Sequence, residues 1–306
     1  DPLLSDEDAR KIIVVRNHLA AQGYMSYIPA FIAKDISDKT IVTLEERSSQ
    51  LTAVEVVAES IRYYPNGTVG AHILGYLGQI SKSEKTSYLE KGYSASDMIG
   101  KDGVEKAFED YLKGQDGIKN VEVNVHGDLV RVISNTESKK GNDIYLNMDL
   151  DLQKTAQDAL AQALEKIRTA GTFESVYGNY KYGKAYRHAN VGAAVAIDVK
   201  TGDVLAMASE PAFDPNLFAT GISSEDWSSL QSANPRDPLS PLPLFNVAAR
   251  TAVQPGSTFK MVTATAALES GLDPKQKLRD GGAVKVGNRT YGCILWNMYK
   301  GNHGYL

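Results

Sequence analysis

Pro255-Gly256-Ser257-Thr258-Phe259-Lys260 is the stretch whose reading decides the fold. A serine and a lysine three residues apart in a helix share a face, so the ammonium reaches the hydroxyl. Pro255-Gly256 breaks the preceding structure and sets the pair at a helix N-terminus. In a closed site there, the helix dipole and desolvation disfavour the charged amine, so that Lys260 serves as general base and Ser257 as nucleophile. Met261, Val262, Ala264, Ala266, Ala267 and Leu268 make the following helix apolar on nearly every side, which predicts a central, buried helix. The spacing itself is close to what chance supplies in a chain of this length, and a capped surface helix is its commoner meaning. The surrounding chain has to decide between the two.

Upstream, two apolar runs, Val195-Ala196-Ile197 and Val204-Leu205-Ala206, flank Lys200-Thr201-Gly202-Asp203 and predict a hairpin over 191–209. A Pro-rich stretch from Pro235 to Pro243 leads toward Ser257. Leu150 to Ile167 reads as a long helix, and the Tyr- and Gly-rich segment from Thr172 to His188 as a loop. Ser138-Lys139-Lys140-Gly141-Asn142-Asp143 is the most polar connector in the middle of the chain, which puts a domain boundary there and gives domains 1–143 and 144–306. The first is built of small pieces. Ser5 caps a helix with acids in its first turn and Gly23 at its end, and Ser37-Asp38 opens a second helix running to Arg47. Val54-Glu55-Val56-Val57 reads as a strand, Gly100 to Gly117 as a helix closed by Gly114, and residues 121–133 as a hairpin turning at Gly127-Asp128.

At 306 residues, 42% hydrophobic and 23% charged, the chain is long and apolar enough for two folded domains. A net charge of -4 offers no cationic footprint and argues against nucleic acid. The single cysteine, Cys293, leaves no internal disulfide. No apolar run is long enough to span a membrane, and the start at Asp1-Pro2-Leu3 leads us to expect a processed or trimmed chain with any membrane anchor upstream.

Several segments, in order, resemble the class B penicillin-binding proteins, especially the elongation type. They are Tyr63-Tyr64-Pro65 with His72-Ile73-Leu74-Gly75-Tyr76, then Gly100-Lys101-Asp102-Gly103-Val104-Glu105 with Phe108-Glu109 and Leu112-Lys113-Gly114. Asp149-Leu150-Asp151-Leu152-Gln153 follows, then the hairpin through Met207-Ala208-Ser209, Pro211-Ala212-Phe213-Asp214-Pro215-Asn216, and the Ser257 segment. The resemblance implies an α+β multi-domain fold: a non-catalytic, dimerisation-type head and pedestal over 1–143, then the first part of a serine-transpeptidase, beta-lactamase-like α/β domain over 144–306. It implies D,D-transpeptidation of peptidoglycan, with Ser257 attacking the D-Ala-D-Ala carbonyl of a stem peptide, Lys260 taking its proton, and beta-lactams acylating the same serine. The expected setting is the outer face of the cell membrane, with glycosyltransferase and scaffold proteins of cell-wall synthesis docking on the head. The family's later motifs, Ser-X-Asn and Lys-Thr/Ser-Gly, do not follow Lys260. Ser232-Ala233-Asn234 and Lys200-Thr201-Gly202 match their letters but precede Ser257 and read as structural. A beta-lactamase or beta-lactam sensor shares the nucleophile but usually lacks a long pedestal. A non-catalytic scaffold of the cell-wall complex is the other alternative.

Asp280, Cys293 and His303 offer a carboxylate, a thiolate and an imidazole after the Ser257 helix, all ligand types that zinc accepts. One Cys and one His ten residues apart are more often incidental. Some elongation-type relatives, however, carry a zinc near the active site, held by Asp, Asp or Cys, and His of this segment plus a Cys near the second motif. The resemblance therefore implies a structural Zn2+ on Asp280, Cys293 and His303. His18, His72, His126 and His188 have no partner at metal spacing.

Overall fold

The computed structural model describes residues 4–22, 32–51, 54–94, 97–124, 129–237 and 240–306. It comprises two compact units, Asp1–Thr251 and Ala252–Leu306. Every sheet among the described residues is a two-stranded antiparallel pair.

In the first unit, α1 (Asp6–Gln22) begins where Ser5 predicts, with Ser5 Oγ accepting the Asp8 N–H at 3.1 Å. Helix α2 (Asp38–Glu46) begins at Ser37, whose hydroxyl accepts the Thr40 N–H at 3.3 Å. Each cap satisfies an N–H that a helix start leaves unpaired. Gly23, read as the stop of α1, lies outside the described residues. The run 54–57 is not a strand. No described segment pairs with it, and β-branched side chains cannot replace a missing ladder.

Strand β1 (Leu77–Gln79) pairs with β2 (Met98–Gly100). The single helix expected between Gly100 and Gly117 is instead two short ones, Gly103–Ala107 and Glu109–Leu112, broken at Phe108. Carboxylates on the two sides of the break have different partners: Glu105 accepts from Tyr64 and Arg62, while Glu109 accepts the Gly100 N–H at 2.7 Å and the Tyr93 hydroxyl at 3.1 Å. Gly75 (φ 82°) passes so close to residue 102 that a Cβ would sit 1.8 Å from the Asp102 carbonyl oxygen, which only glycine permits. The expected hairpin follows as β3 (Ile118–Val123) and β4 (Leu129–Thr136), with β3 exposed throughout. Its Gly127-Asp128 turn lies outside the described residues.

Asp149 caps α3 (Leu150–Thr169) by accepting the Leu152 N–H at 2.8 Å, and Ala170 in the left-handed region (φ 56°) ends it. The next segment, read as a loop, holds a short ladder of β5 (Thr172–Phe173) and β6 (Tyr180–Lys181). Strands β7 (Gly192–Ile197) and β8 (Val204–Glu210) form the predicted hairpin. At its turn Gly202 (φ 81°) donates its N–H to the Asp198 carbonyl at 2.8 Å. Lys200-Thr201-Gly202 is thus a hairpin tip, and Ser232 and Asn234 belong to a local turn closed through Ser240 Oγ. Helix α3 lies against β8, whose Ala206 and Ala208 are fully buried. A second nucleus gathers Ala71, Phe213, Phe218 and Leu230, with Tyr76 edge-on to Phe213.

In the second unit a 3-10 turn, Gly256–Thr258, leads into α4 (Phe259–Glu269). Strand β9 (Arg279–Asp280) pairs with β12 (Gly304–Tyr305), and between them lie the hairpin β10 (Ala283–Val286) with β11 (Arg289–Gly292) and α5 (Ile294–Tyr299). The expectation that the Ser257 helix is buried is not met: no residue of α4 is buried, and Met261 is 72% exposed. A helix apolar all round needs cover on every side. The hairpins and α5 that follow it build onto one another and do not supply that cover.

Candidate active site and metal centre

Ser257 sits in the 3-10 turn and Lys260 in the first turn of α4, on one continuous helical segment, as their spacing predicts. Gly256 (φ 56°) makes the bend that starts the turn, and the Thr258 hydroxyl fixes it by donating to the Pro255 carbonyl at 2.6 Å. Both Ser257 and Lys260 are exposed, and Ser257 Oγ makes no hydrogen bond with Lys260 Nζ. The desolvating enclosure expected around Lys260 is not formed by the described residues. The helix start supplies placement, and activation by exclusion of water requires further walls.

Asp280, Cys293 and His303 come together: one ligand atom from each lies within 4.8 Å of the others. The β9–β12 ladder does much of this, because Asp280 pairs with Gly304 and so brings His303 alongside. His303 Nδ1 lies 2.5 Å from Asp280 Oδ2, and the His303 N–H donates to the same oxygen at 3.3 Å. Cys293 caps α5, its sulfur accepting the Trp296 N–H at 3.5 Å and its own N–H donating to the Gly282 carbonyl at 2.7 Å. The Asp280 carboxyl is held well below the usual carboxylate range, first by the His303 hydrogen bond, then by the Gly282 N–H and Cys293. A carboxylate, a thiol and an imidazole converging at this range are a donor set that fits zinc. Asp280 is also hydrogen-bonded to the imidazole nitrogen facing it, so a metal taking both would replace that contact.

A set of buried polar residues whose roles the sequence did not disclose joins residues 62–72 to α3, β8 and the chain near Asn216 and Asn246. Gln153 clasps the Met207 backbone, accepting its N–H at 2.7 Å and donating to its carbonyl at 3.1 Å. Gln157 does the same across another strand of chain, accepting from Gly70 N–H and donating to the Thr68 carbonyl. Asn216 pairs with both backbone groups of Tyr64, and Asn246 donates to the His72 carbonyl at 3.2 Å. Glu105 takes the Tyr64 hydroxyl at 3.0 Å and the Arg62 guanidinium at 2.8 Å. Burial, then the Glu105 charge, pushes the Tyr64 hydroxyl far above its ordinary value. His72, expected to be no ligand, is buried with Nε2 2.7 Å from the Pro243 carbonyl, and burial lowers its imidazole. The one signal in the sequence was Gln153 and Gln157 one turn apart in the helix, which marks a shared face but not its partner.

Comparison with known proteins agrees with this anatomy. Residues 3–146 match the Penicillin-binding Protein dimerisation domain, and residues 192–303 match the Penicillin binding protein transpeptidase domain. The chain thus carries two penicillin-binding protein domains, dimerisation then transpeptidase. Its relatives include peptidoglycan D,D-transpeptidases and a solved PBP2 structure. The chain is 34% identical over 276 residues to the peptidoglycan D,D-transpeptidase MrdA of Acinetobacter baumannii, covering 90% of this chain and 36% of that protein. It is 32% identical over 273 residues to MrdA of Escherichia coli K12, covering 88% of this chain and 37% of that protein. It thus spans little more than a third of the length of these relatives. Among solved structures, a chain of a peptidoglycan synthase complex that coordinates polymerization and crosslinking superposes with a TM-score of 0.65 at 31% identity, covering 95% of this chain and 47% of that one. Pseudomonas aeruginosa PBP2 in complex with WCK 5153 does so with a TM-score of 0.58 at 30% identity, covering 82% and 44%. Among the described residues no helix is long and apolar enough to cross a membrane.

Proposed function

We propose that this chain is the pedestal and the opening part of a peptidoglycan D,D-transpeptidase in which Ser257 is the acyl-accepting nucleophile and Lys260 its base. The observation that carries the reading is the placement of Ser257 and Lys260 on one helix start inside the stretch that matches the transpeptidase domain. Ser257 Oγ attacks the carbonyl carbon between the two terminal D-alanines of a stem peptide, and its proton passes to Lys260 Nζ. The C–N bond breaks, the terminal D-alanine leaves with a proton on its amine, and the acyl group remains on Ser257. An amine of a neighbouring stem peptide then attacks that ester, giving the cross-link and restoring the hydroxyl. Beta-lactams acylate the same oxygen. The natural boundary between pedestal and catalytic domain is the polar connector 138–143. Anchoring at the outer face of the membrane and docking of glycosyltransferase and scaffold proteins on the pedestal belong to the same reading, supported by the likeness to a chain of a peptidoglycan synthase complex.

Asp280, Cys293 and His303 belong to this proposal as the holders of a Zn2+, supported by the convergence of their donor atoms. When bound, the ion would cross-link the β9–β12 ladder to the start of α5 and act structurally. Fluorescent penicillin tests the main reading: the intact protein takes the label, and Ser257→Ala abolishes it. Labelling that persists in Ser257→Ala refutes the assignment. For the metal, stoichiometric zinc in the intact protein that falls in Cys293→Ala is the expected result, and an absence of zinc in the intact protein rejects it.

A further inference from the structure

Residues 174–188 lie between the two family-matched stretches, in neither of them. They read Glu-Ser-Val-Tyr-Gly-Asn-Tyr-Lys-Tyr-Gly-Lys-Ala-Tyr-Arg-His, and no carboxylate occurs between Glu174 and Asp198. In a chain of net charge -4 this is a local inversion, with Lys181, Lys184 and Arg187 unopposed. None of the three makes an ion pair among the described residues. Lys184 Nζ instead lies 4.9 Å from the centre of the Tyr186 ring. Tyr177 is 98% exposed, Tyr180 63% and Tyr186 52%. The segment is nonetheless built onto the end of α3. The Tyr182 N–H donates to the Gly171 carbonyl at 3.1 Å, the Tyr186 N–H to the Ile167 carbonyl at 3.0 Å, and Tyr180 and Tyr182 meet edge to face at 4.9 Å.

Tyrosine rings left in water on a supported hairpin, interleaved with unpaired cations, are what a recognition surface for an anionic partner with flat apolar faces requires. A lipid surface fits poorly. Between Glu174 and His188 there is no Trp, Phe, Leu or Ile to enter the acyl boundary, and Val176 is the one aliphatic of any size. A nucleic acid fits poorly too, because three cations in a chain of net charge -4 are too few to hold the run of phosphates that such a partner presents. A glycan strand bearing acidic peptides has both matching features: the C–H faces of its sugars lie flat on tyrosine rings, and its peptide carboxylates complement lysine and arginine.

We propose that the segment 174–188, which includes the turn and second strand of the β5–β6 hairpin, is a docking surface for the peptide-bearing glycan strand, a proposal that rests on the transpeptidase reading above. Tyr177, Tyr180 and Tyr186 stack on sugar faces, and Lys181, Lys184 and Arg187 pair with stem-peptide carboxylates. The test is co-sedimentation of the intact protein with purified peptidoglycan sacculi, alongside fluorescent penicillin labelling. Neutralising all three cations (Lys181→Gln, Lys184→Gln, Arg187→Gln) is expected to weaken sacculus binding about tenfold, the sum of three exposed charge pairs, and to remove most of its salt dependence. Tyr180→Ala with Tyr186→Ala weakens binding with the salt dependence retained. Penicillin labelling stays at the parent rate in both variants, since none of the residues changed belongs to the Ser257–Lys260 pair. Sacculus binding unchanged in both variants overturns the proposal. So does a loss confined to vesicles of anionic phospholipid, which would make the surface a lipid contact. A protein that fails to take penicillin at all defeats the transpeptidase reading, and the sacculus comparison still judges the hairpin on its own.

Discussion

Helices α3 and α4 are both rich in alanine and apolar residues, and they reach opposite ends. Helix α3 buries Gln153, Gln157 and Leu164 along one stripe and exposes charged residues on the other, while α4 buries nothing. On α3 the polar residues inside the stripe are satisfied by backbone groups of Thr68, Gly70 and Met207. An amphipathic helix of this kind states which of its sides needs cover, and fixed amide pairs dictate what covers it. A helix that is apolar all round states only that it needs cover, and takes its position from whatever surrounds it.

The contrast can be broken most directly at Gln153. Gln153→Ala leaves the Met207 N–H and carbonyl without their side-chain partner and removes one of the two donors to Gln157 Oε1, and is expected to destabilise the first unit by about 3 kcal/mol in denaturant unfolding. A loss below about 1 kcal/mol would mean that the clasp is not what seats α3. Next comes Glu105, nearly buried between Arg62 and Tyr64. Because Arg62 keeps partial access to water, Glu105→Ala is expected to cost about 2 kcal/mol, with Glu105→Gln costing less by keeping the tyrosine bond.

A smaller effect is carried by Glu84, whose carboxyl is lowered from 4.5 to about 2 by the hydrogen bond from Lys101, then by Ser81. Its pKa is depressed on folding, so its contribution is full above 4.5 and is lost as pH falls toward 2. Glu84→Gln should flatten that part of a stability-versus-pH curve, and a curve of unchanged slope between these values would remove the assignment. Smallest of all is Val262→Ser on α4, expected to change the stability of this 306-residue chain by less than about 0.5 kcal/mol because the side chain is already exposed. A loss above about 1 kcal/mol would show that α4 is covered and erase the contrast.

What could be read from the residues alone follows the same division. The β7–β8 hairpin was legible because its alternating runs and Gly202 turn are local, and so were the caps at Ser5 and Ser37. Val54 to Val57 misled because a β-branched run reports a preference, whereas a strand needs a neighbour. The break at Phe108 was hidden because it depends on Glu105 and Glu109 finding partners far apart in the chain. At the site, Ser257 and Lys260 were visible as a pair, since three residues of helix fix their relation. Their enclosure was not, for it requires surfaces that α4 does not carry. The letters of Asp280, Cys293 and His303 were visible too, but their closure came from the pairing of β9 with β12.

That pairing reaches one residue further, with Leu278 and Leu306 exchanging N–H to carbonyl bonds at 3.0 and 3.2 Å. The chain from 278 to 306 is therefore a ring closed by a short clasp. The amides inside it, Cys293 and Trp296 among them, share that clasp as their common latch, so they should trade hydrogen for deuterium in step, at a single opening free energy.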